Sequence, residues 1–197
     1  MGKVNNKIRM HVFYVFMLIF MIGLAVTTTF IGNLTPDIIE HYGLNYSQAG
    51  NINFLFQIGG FASLLLGAFF SDRTKKSNII IASAIVMSAG LCLIGIVPPY
   101  IFLLVILFAL GMSTQILNIL TSGYTCDIVE EKKQGGYVTF LLAFYSIGST
   151  VASQLSSRLA NYVWTSRFLI IGLGSGVFAI LFLVSKFVLS EPDNVSV

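Results

Sequence analysis

Residues 100–128 read YIFLLVILFALGMSTQILNILTSGYTCDI, and this stretch decides the fold. It contains no Lys, Arg or Glu, and Asp127 is its only charged residue. A bilayer core about 30 Å thick needs roughly 20 consecutive apolar residues when the chain crosses it as a helix. The stretch meets that requirement, and it therefore predicts a transmembrane helix.

Apolar stretches of this kind fill most of the 197-residue chain. Hydrophobic residues make up 56% and charged residues only 10%, whereas a soluble domain carries about 25% charged residues. The sequence therefore predicts an all-α membrane protein with six transmembrane helices and no separate soluble domain. Gly135 and Gly136 are expected to interrupt the chain before the fifth helix. The predicted spans are His11–Leu34, Ser47–Ser71, Asn78–Val97, Tyr100–Ile128, Tyr137–Ser157 and Phe168–Leu189.

The positions of Lys and Arg predict the orientation. If the spans alternate in direction, nine of the 11 basic residues fall on one side, and only Arg158 and Arg167 fall on the other. Cytoplasmic loops carry an excess of Lys and Arg, so the side with nine is predicted to be cytoplasmic. The stub 1–10 and the tail 190–197 are therefore predicted to lie in the cytoplasm. The protein is predicted to lie in the plasma membrane. Residues 37–41 are expected to form an outer loop.

Two short matches indicate an internal repeat. Thr35–Glu40 reads TPDIIE, and Thr125–Glu130 reads TCDIVE, 90 positions later. Gln48–Phe54 reads QAGNINF, and Gln134–Phe140 reads QGGYVTF, 86 positions later. Because each repeat would contain three spans, an odd number, the second repeat would cross the membrane in the opposite direction to the first. This arrangement is the inverted repeat of secondary transporters. The predicted repeats are residues 11–97 and 100–189.

Small residues four positions apart predict close helix packing, because they let two backbones approach. The predicted packing residues are Gly59, Ser63, Gly67, Gly172 and Gly176.

Enzyme chemistry has no support in the sequence. There is no HExxH or GxSxG motif, and Cys92 and Cys126 form no zinc-binding pattern. We therefore expect no enzyme activity, cofactor, metal or nucleic-acid partner.

The stretch Ala68–Lys76 reads AFFSDRTKK and resembles the loop between the second and third helices of the major facilitator superfamily. Asp72, Arg73 and Lys76 match the family pattern, while Ala68 and Lys75 stand where it has glycine. The whole chain resembles one six-helix half of such a transporter. The resemblance implies alternating access, a second six-helix half as partner, and a cytoplasmic gate formed by the three matching residues.

The resemblance also predicts a substrate cavity, since the first and fourth helices of each half line it in this family. Neutral polar groups at bilayer depth are costly unless they face a cavity or a partner helix. They would suit an uncharged, hydroxyl-rich or amphiphilic solute. For Ser and Thr the alternative of helix-to-helix hydrogen bonding, worth about 0.6 kcal/mol, stays open. The predicted cavity residues are Thr28, Thr29, Gly32, Asn33, Asn53, Gln57, Thr114, Asn118, Thr121, Tyr145 and Ser149.

A weaker resemblance points to sugar symporters. Gly111–Asn118 is similar to the branch that includes fucose permeases, which carry carboxylates midway along the first and fourth helices. Gly32 and Thr114 stand near those places here, which argues against proton coupling through this half. Phe108 or Ala109 stands where many members carry Arg, which argues against proton antiport. A non-transporting fragment or interaction subunit is the alternative function.

Overall fold

The computed structural model describes residues 6–71 and 75–189, with side chains described for 7–65, 75–159 and 161–188. These residues form long α-helices and a short 3-10 turn, Leu159–Asn161, with no strand among them. The residues 1–5, 72–74 and 190–197 lie outside this description, and with them Asp72, Arg73 and parts of both predicted termini. The helices are α1 Asn6–Tyr42, α2 Tyr46–Ser71, α3 Lys76–Gly95, α4 Tyr100–Ile128, α5 Glu131–Arg158 and α6 Trp164–Leu189.

Five of these helices, α1 and α3 to α6, are long and apolar enough to cross a membrane. The crossing of the membrane by α2, and hence the count of six spans, stays a prediction. Observed and predicted bounds agree for the helix α4, whereas α5 begins at Glu131, earlier than predicted. The pair Gly135 and Gly136 therefore lies inside α5 and does not interrupt the chain before it.

The expected outer loop at residues 37–41 is wrong, because α1 continues helically through Pro36 to Tyr42. Ile38 is completely buried, and that burial holds the final turns against the bundle. Helix α4 ends at Ile128, the counterpart of Ile38 in the repeated hexapeptide. The residues 39–42 thus form one additional turn, since an α-helix has 3.6 residues per turn. This turn accounts for the change of the repeat offset from 90 to 86.

Helices α1 and α4 contact each other, and each also packs against α2 and α5. Helix α5 packs along α1, α2 packs along α4, and α3 packs against both α4 and α6. The ring of Phe182 on α6 meets α1 edge to face, with ring centroids 5.7 Å from Phe13 and 5.2 Å from Phe20. These aromatic contacts fix α6 against α1.

The backbones of α2 and α4 touch. A Cβ atom on Gly59 would lie 2.2 Å from the carbonyl oxygen of Phe108, and one on Gly111 would lie 1.9 Å from that of Phe56. Ser63 is buried and donates a hydrogen bond to the carbonyl of its own helix at Gly60, at 2.6 Å. The surroundings of Gly67 lie outside the described side chains. Glycine is therefore required at two facing positions of this contact.

Helices α3 and α6 make a second close contact. A Cβ atom on Gly172 would lie 2.7 Å from Cys92 Sγ, and one on Gly176 would lie 2.6 Å from Ser88 Oγ. The Ser88 hydroxyl donates to the Gly172 carbonyl at 2.6 Å, so a hydrogen bond joins the two helices at this point.

Arg9 and the described lysines gather at one end of the bundle, formed by the starts of α1, α3 and α5, which we call the basic end. There Lys186 of α6 donates to Ser77 Oγ of α3 at 2.7 Å, and Lys76 of α3 pairs with Asp127 of α4 at 2.7 Å. Arg158 and Arg167 lie at the opposite end, which we call the far end.

We expect Gly59→Ala to destabilise the bundle by about 1–3 kcal/mol, because the new methyl group would overlap a backbone carbonyl that cannot move aside. Gly50→Ala on the same helix is the matched control, since a Cβ atom there meets nothing within 4 Å. Thermal unfolding of both variants in one detergent checks this. Equal midpoints for the two variants would contradict the close contact.

Candidate solute cavity

A cavity of about 380 Å³ lies between α1, α2, α4 and α5, roughly halfway along these helices. Polar side chains from all four helices converge on it. Three glycines bring backbone to its surface. The lining residues are Leu24, Thr28, Ile31, Gly32, Asn53, Phe56, Gln57, Gly60, Gly111, Thr114, Gln115, Asn118 and Tyr145.

Seven of the eleven residues expected in the cavity do line it, and they come from four different helices. They are Thr28, Gly32, Asn53, Gln57, Thr114, Asn118 and Tyr145.

Four expected residues lie elsewhere. Thr29 and Ser149 hydrogen-bond to one another at 3.0 Å, so they join α1 to α5 and do not face the cavity. Thr121 is buried, and its hydroxyl has no hydrogen-bond partner within the described chain. Asn33 is exposed on α1, away from the cavity lining. The alternative reading of helix-to-helix hydrogen bonding thus holds for Thr29 and Ser149.

The threonine hydroxyls of the cavity are already engaged. Thr114 Oγ1 donates to the carbonyl oxygen of Leu110, one turn earlier, at 2.9 Å. Thr28 Oγ1 lies 3.1 Å from the carbonyl oxygen of Leu24 and 3.1 Å from the hydroxyl of Tyr145. A hydroxyl carries only one hydrogen, so these groups have little donor capacity left for a solute.

The carboxamides of the cavity are open. The side chains of Asn53, Gln57, Gln115 and Asn118 make no hydrogen bond to any residue in the described ranges. Each carboxamide offers two N–H donors and one carbonyl acceptor. Four such groups, two on α2 and two on α4, face one small space. They can hydrogen-bond to a solute that has both hydrogen-bond donors and acceptors.

The expected set did not include Gln115. The spacing from Thr114 to Asn118 follows one helical face, and Gln115 is one position off that face. Its long side chain nevertheless reaches the cavity. A sequence analysis that also counted polar residues next to the face of Thr114 and Asn118 would have included Gln115.

Lys76 is the one expected gate residue that the described ranges contain. Its ammonium group lies 2.7 Å and 2.9 Å from the two carboxylate oxygens of Asp127, and the two side chains are 29% and 30% exposed. This pair joins the start of α3 to the end of α4. Asp72 and Arg73 lie outside the described residues, so their gate role stays a prediction.

The sequence profile of the Major Facilitator Superfamily matches residues 11–196. The chain belongs to this superfamily. It is therefore an integral, multi-pass membrane protein, as the five long apolar helices also indicate. Members of the superfamily are transporters, which supports the prediction that the chain is not an enzyme.

Two curated relatives are similar to this superfamily member over most of its length. A probable high-affinity hexose transporter, ght7, of Schizosaccharomyces pombe is 24% identical over 127 residues, which cover 64% of this chain and 24% of that protein. The membrane sensor protein UhpC of Escherichia coli is 23% identical over 158 residues, which cover 77% of this chain and 36% of that protein.

A solved structure shares the fold. The crystal structure of a bacterial homologue of the human lysosomal transporter Spinster, inward-facing and unoccupied, matches with a TM-score of 0.76. The identity is 15%, and the match covers 95% of this chain and 44% of that one. The chain thus spans less than half the length of each of these three proteins.

Stability measurements distinguish the two kinds of polar residue. We expect Thr29→Val to lower the free energy of unfolding by about 0.6 kcal/mol, because it removes a hydrogen bond between two helices. Asn118→Ala removes no hydrogen bond within the described chain, and we expect its unfolding free energy to stay within about 0.5 kcal/mol of the wild type. Denaturation in mixed micelles checks both. A larger loss for Asn118→Ala than for Thr29→Val would contradict this assignment.

Proposed function

We propose that this chain forms one half of a secondary transporter that carries a small neutral organic solute, such as a sugar, by alternating access. The observation that carries the proposal is the set of four open carboxamides around one cavity. Sugar hydroxyls both donate and accept hydrogen bonds, as carboxamides do. The similarity to a protein named as a hexose transporter supports the same class of solute.

The charge of the cavity argues for an uncharged solute. Among the described residues that line it there is no Asp, Glu, Lys, Arg or His. A charged solute would leave water without gaining an opposite charge, which is costly at bilayer depth. Gly32 and Thr114 line the cavity where the sugar-symporter resemblance would have carboxylates. Any symport by the whole protein would therefore take its coupling carboxylate from outside this cavity.

Exposed amides support the need for a second half. Asn53 and Gln57 on α2 line the cavity but are also exposed at the surface of the chain. Amides at this depth would face acyl chains unless something covers them, and burying them unpaired in hydrocarbon costs several kcal/mol. We propose that a second six-helix half covers this face, as a carboxy-terminal half, a separate subunit or a second copy of the chain.

The packing of the helices supports the inverted repeat. Exchanging the first three helices for the last three turns the α2–α4 contact into the α5–α1 contact, and the chain has both. Both contacts also pass through a glycine. Gly59 lies against Phe108 in the first, and a Cβ atom on Gly148 would lie 2.9 Å from the Cα atom of Ile22 in the second. We infer that α1 to α3 and α4 to α6 are related by a pseudo-two-fold axis.

Two ion pairs support the same axis. At the basic end, Asp127 of α4 pairs with Lys76 of α3. At the far end, Asp37 of α1 lies 3.8 Å from Arg167 of α6. The acids are 90 positions apart, which is the offset of the repeated hexapeptide that contains them. In each pair, an acid near the end of the first helix of one repeat meets a base at the start of the third helix of the other.

We propose that the basic end faces the cytoplasm, with both termini inside and the chain in the plasma membrane. The gathering of the described Lys residues at that end supports this orientation, since cytoplasmic loops carry an excess of Lys and Arg.

A sensor or interaction subunit is the second candidate function. The observation that favours it is the similarity to UhpC, a protein named as a membrane sensor, over 77% of this chain. Such a protein would bind a solute in the same cavity and would not move it. Binding of solute without flux into liposomes, by the chain together with its second half, would support this candidate.

Solute binding is expected to depend on the carboxamides. We expect Gln57→Leu and Asn118→Leu each to weaken the binding of a neutral monosaccharide by about five- to tenfold, the loss of one to two hydrogen bonds. Gln154→Leu on α5 is the matched control, because Gln154 is exposed and does not line the cavity. Equilibrium binding of radiolabelled monosaccharides to the purified variants measures this. Equal binding by all three variants would remove the cavity from the proposal.

Cysteine labelling is expected to show that the two ion pairs lie on opposite faces of the membrane. In a chain whose Cys92 and Cys126 are changed to Ser, we expect Asp37→Cys, at the 41% exposed acid of the far-end pair, to react with a membrane-impermeant maleimide only from outside the cell. We expect Lys76→Cys to react only in inside-out vesicles, because the pseudo-two-fold axis puts the two pairs on opposite faces. Labelling of both from the same side would overturn the inverted repeat.

A further inference from the structure

A groove with a basic rim lies at the basic end, away from the solute cavity. Two adjoining cavities of about 540 and 420 Å³ form it between the starts of α1 and α5 and the end of α4. They share His11, Lys133 and Tyr137. We call this feature the basic groove and define it by Lys7, His11, Lys132, Lys133, Tyr137 and Phe140.

The rim of the basic groove carries a surplus of positive charge. Three lysines and one acid, Glu130, line it, which leaves two formal positive charges when His11 is neutral. Lys133 pairs with Glu130 at 2.7 Å, and its hydrogen bond is the largest cause of the lowered pKa of the Glu130 carboxyl. Lys132 is exposed and makes no hydrogen bond or ion pair with the residues described. Lys132 is therefore available to an anion.

The wall of the basic groove below the rim is aromatic. Tyr14 and Tyr137 meet edge to face with ring centroids 4.7 Å apart, and the Tyr14 hydroxyl donates to the Tyr137 carbonyl at 2.9 Å. The Tyr14 hydroxyl is thus engaged, and the rings present apolar surface. Phe140 is 51% exposed on the same wall. It lies eight residues after Lys132, or about 12 Å further along the helix.

Glycine keeps the groove open. Gly136 lines the groove, and a Cβ atom there would meet nothing within 4 Å. A side chain at position 136 would therefore begin in open space and extend into the groove. This position offers a way to close the groove while every charge on the rim is kept.

We propose that the basic groove binds an anionic phospholipid, with the phosphate at Lys132 and an acyl chain against Tyr14 and Phe140. The order of the groups along α5 matches the order in a lipid, which carries its charge at the surface and its apolar part below. Basic pockets between transmembrane helices on the cytoplasmic side are suited to anionic headgroups. The proposal goes beyond solute transport, because the groove shares no lining residue with the solute cavity.

Native mass spectrometry of the purified chain tests the proposal, with dioctanoyl phosphatidylglycerol and dioctanoyl phosphatidylcholine added in equal amounts. We expect the chain to retain phosphatidylglycerol in preference. Lys132→Gln is expected to weaken its binding about fivefold, the usual contribution of one lysine near an anionic lipid. Gly136→Leu is expected to abolish the preference by filling the groove. Lys75→Gln, an equal charge change on an exposed residue outside the groove, is expected to have no effect.

A second arm distinguishes lipid from free phosphate. Inorganic phosphate at millimolar concentration is expected to leave the retained phosphatidylglycerol unchanged, because the aromatic wall contributes to lipid binding but cannot contact free phosphate. Displacement by inorganic phosphate would overturn the lipid proposal in favour of a simple anion site. Equal retention of the two lipids, or equal losses in Lys75→Gln and Lys132→Gln, would overturn it altogether. Circular dichroism and gel filtration of each variant verify that it is folded.

Discussion

The backbone contact between α2 and α4 at Gly59 and Gly111 is the constraint on which the rest of the bundle depends. Because a Cβ atom at either position would overlap a carbonyl oxygen, the two helices can lie this close only with glycine there. The contact borders the solute cavity, whose lining includes Gly111 itself. It thereby sets the distance between the carboxamides of Gln57 on α2 and Asn118 on α4. If α2 and α4 lay further apart, their carboxamides would no longer face one small cavity.

The hydroxyl and carboxamide side chains of the bundle differ in whether their own helix can satisfy their hydrogen bonds. A Ser or Thr hydroxyl on a helix can donate to the carbonyl one turn earlier, as Thr114 and Thr125 do at 2.9 Å. A carboxamide has two N–H donors and two acceptor lone pairs, and it cannot satisfy all four on its own helix. Since the bilayer core offers no water, an Asn or Gln at that depth needs a partner, a solute or a hydrated cavity. The carboxamides therefore identify the cavity more sharply than the hydroxyls.

The local sequence pattern predicted most of the helices. Features that depend on contacts between residues far apart in the chain could not be predicted from it. The limits of α4 followed from the charges and prolines that flank an uninterrupted apolar run. The end of α1 did not, because Pro36 and nearby acids are typical of a loop, and only the burial of Ile38 shows why the helix continues. The polarity of Thr29 and the family resemblance of the first helix likewise placed it in the expected cavity. Neither could show that Ser149, on a helix far along the chain, lies 3.0 Å away and takes up that hydroxyl.

The pairing of Lys76 with Asp127 joins two helices of this chain and can brace them, while the gate role of Lys76 stays a prediction. Lys76 is the first residue of α3 and Asp127 the penultimate residue of α4, so each charge opposes the dipole of its own helix. Each would be unfavourable alone, by about 0.3–1 kcal/mol, and the pair offsets both. Alternating access largely moves one rigid unit against another. If the six helices move as one such unit, a bond whose two partners both belong to it stays closed throughout the cycle, and its strength fixes the shape of the half that moves.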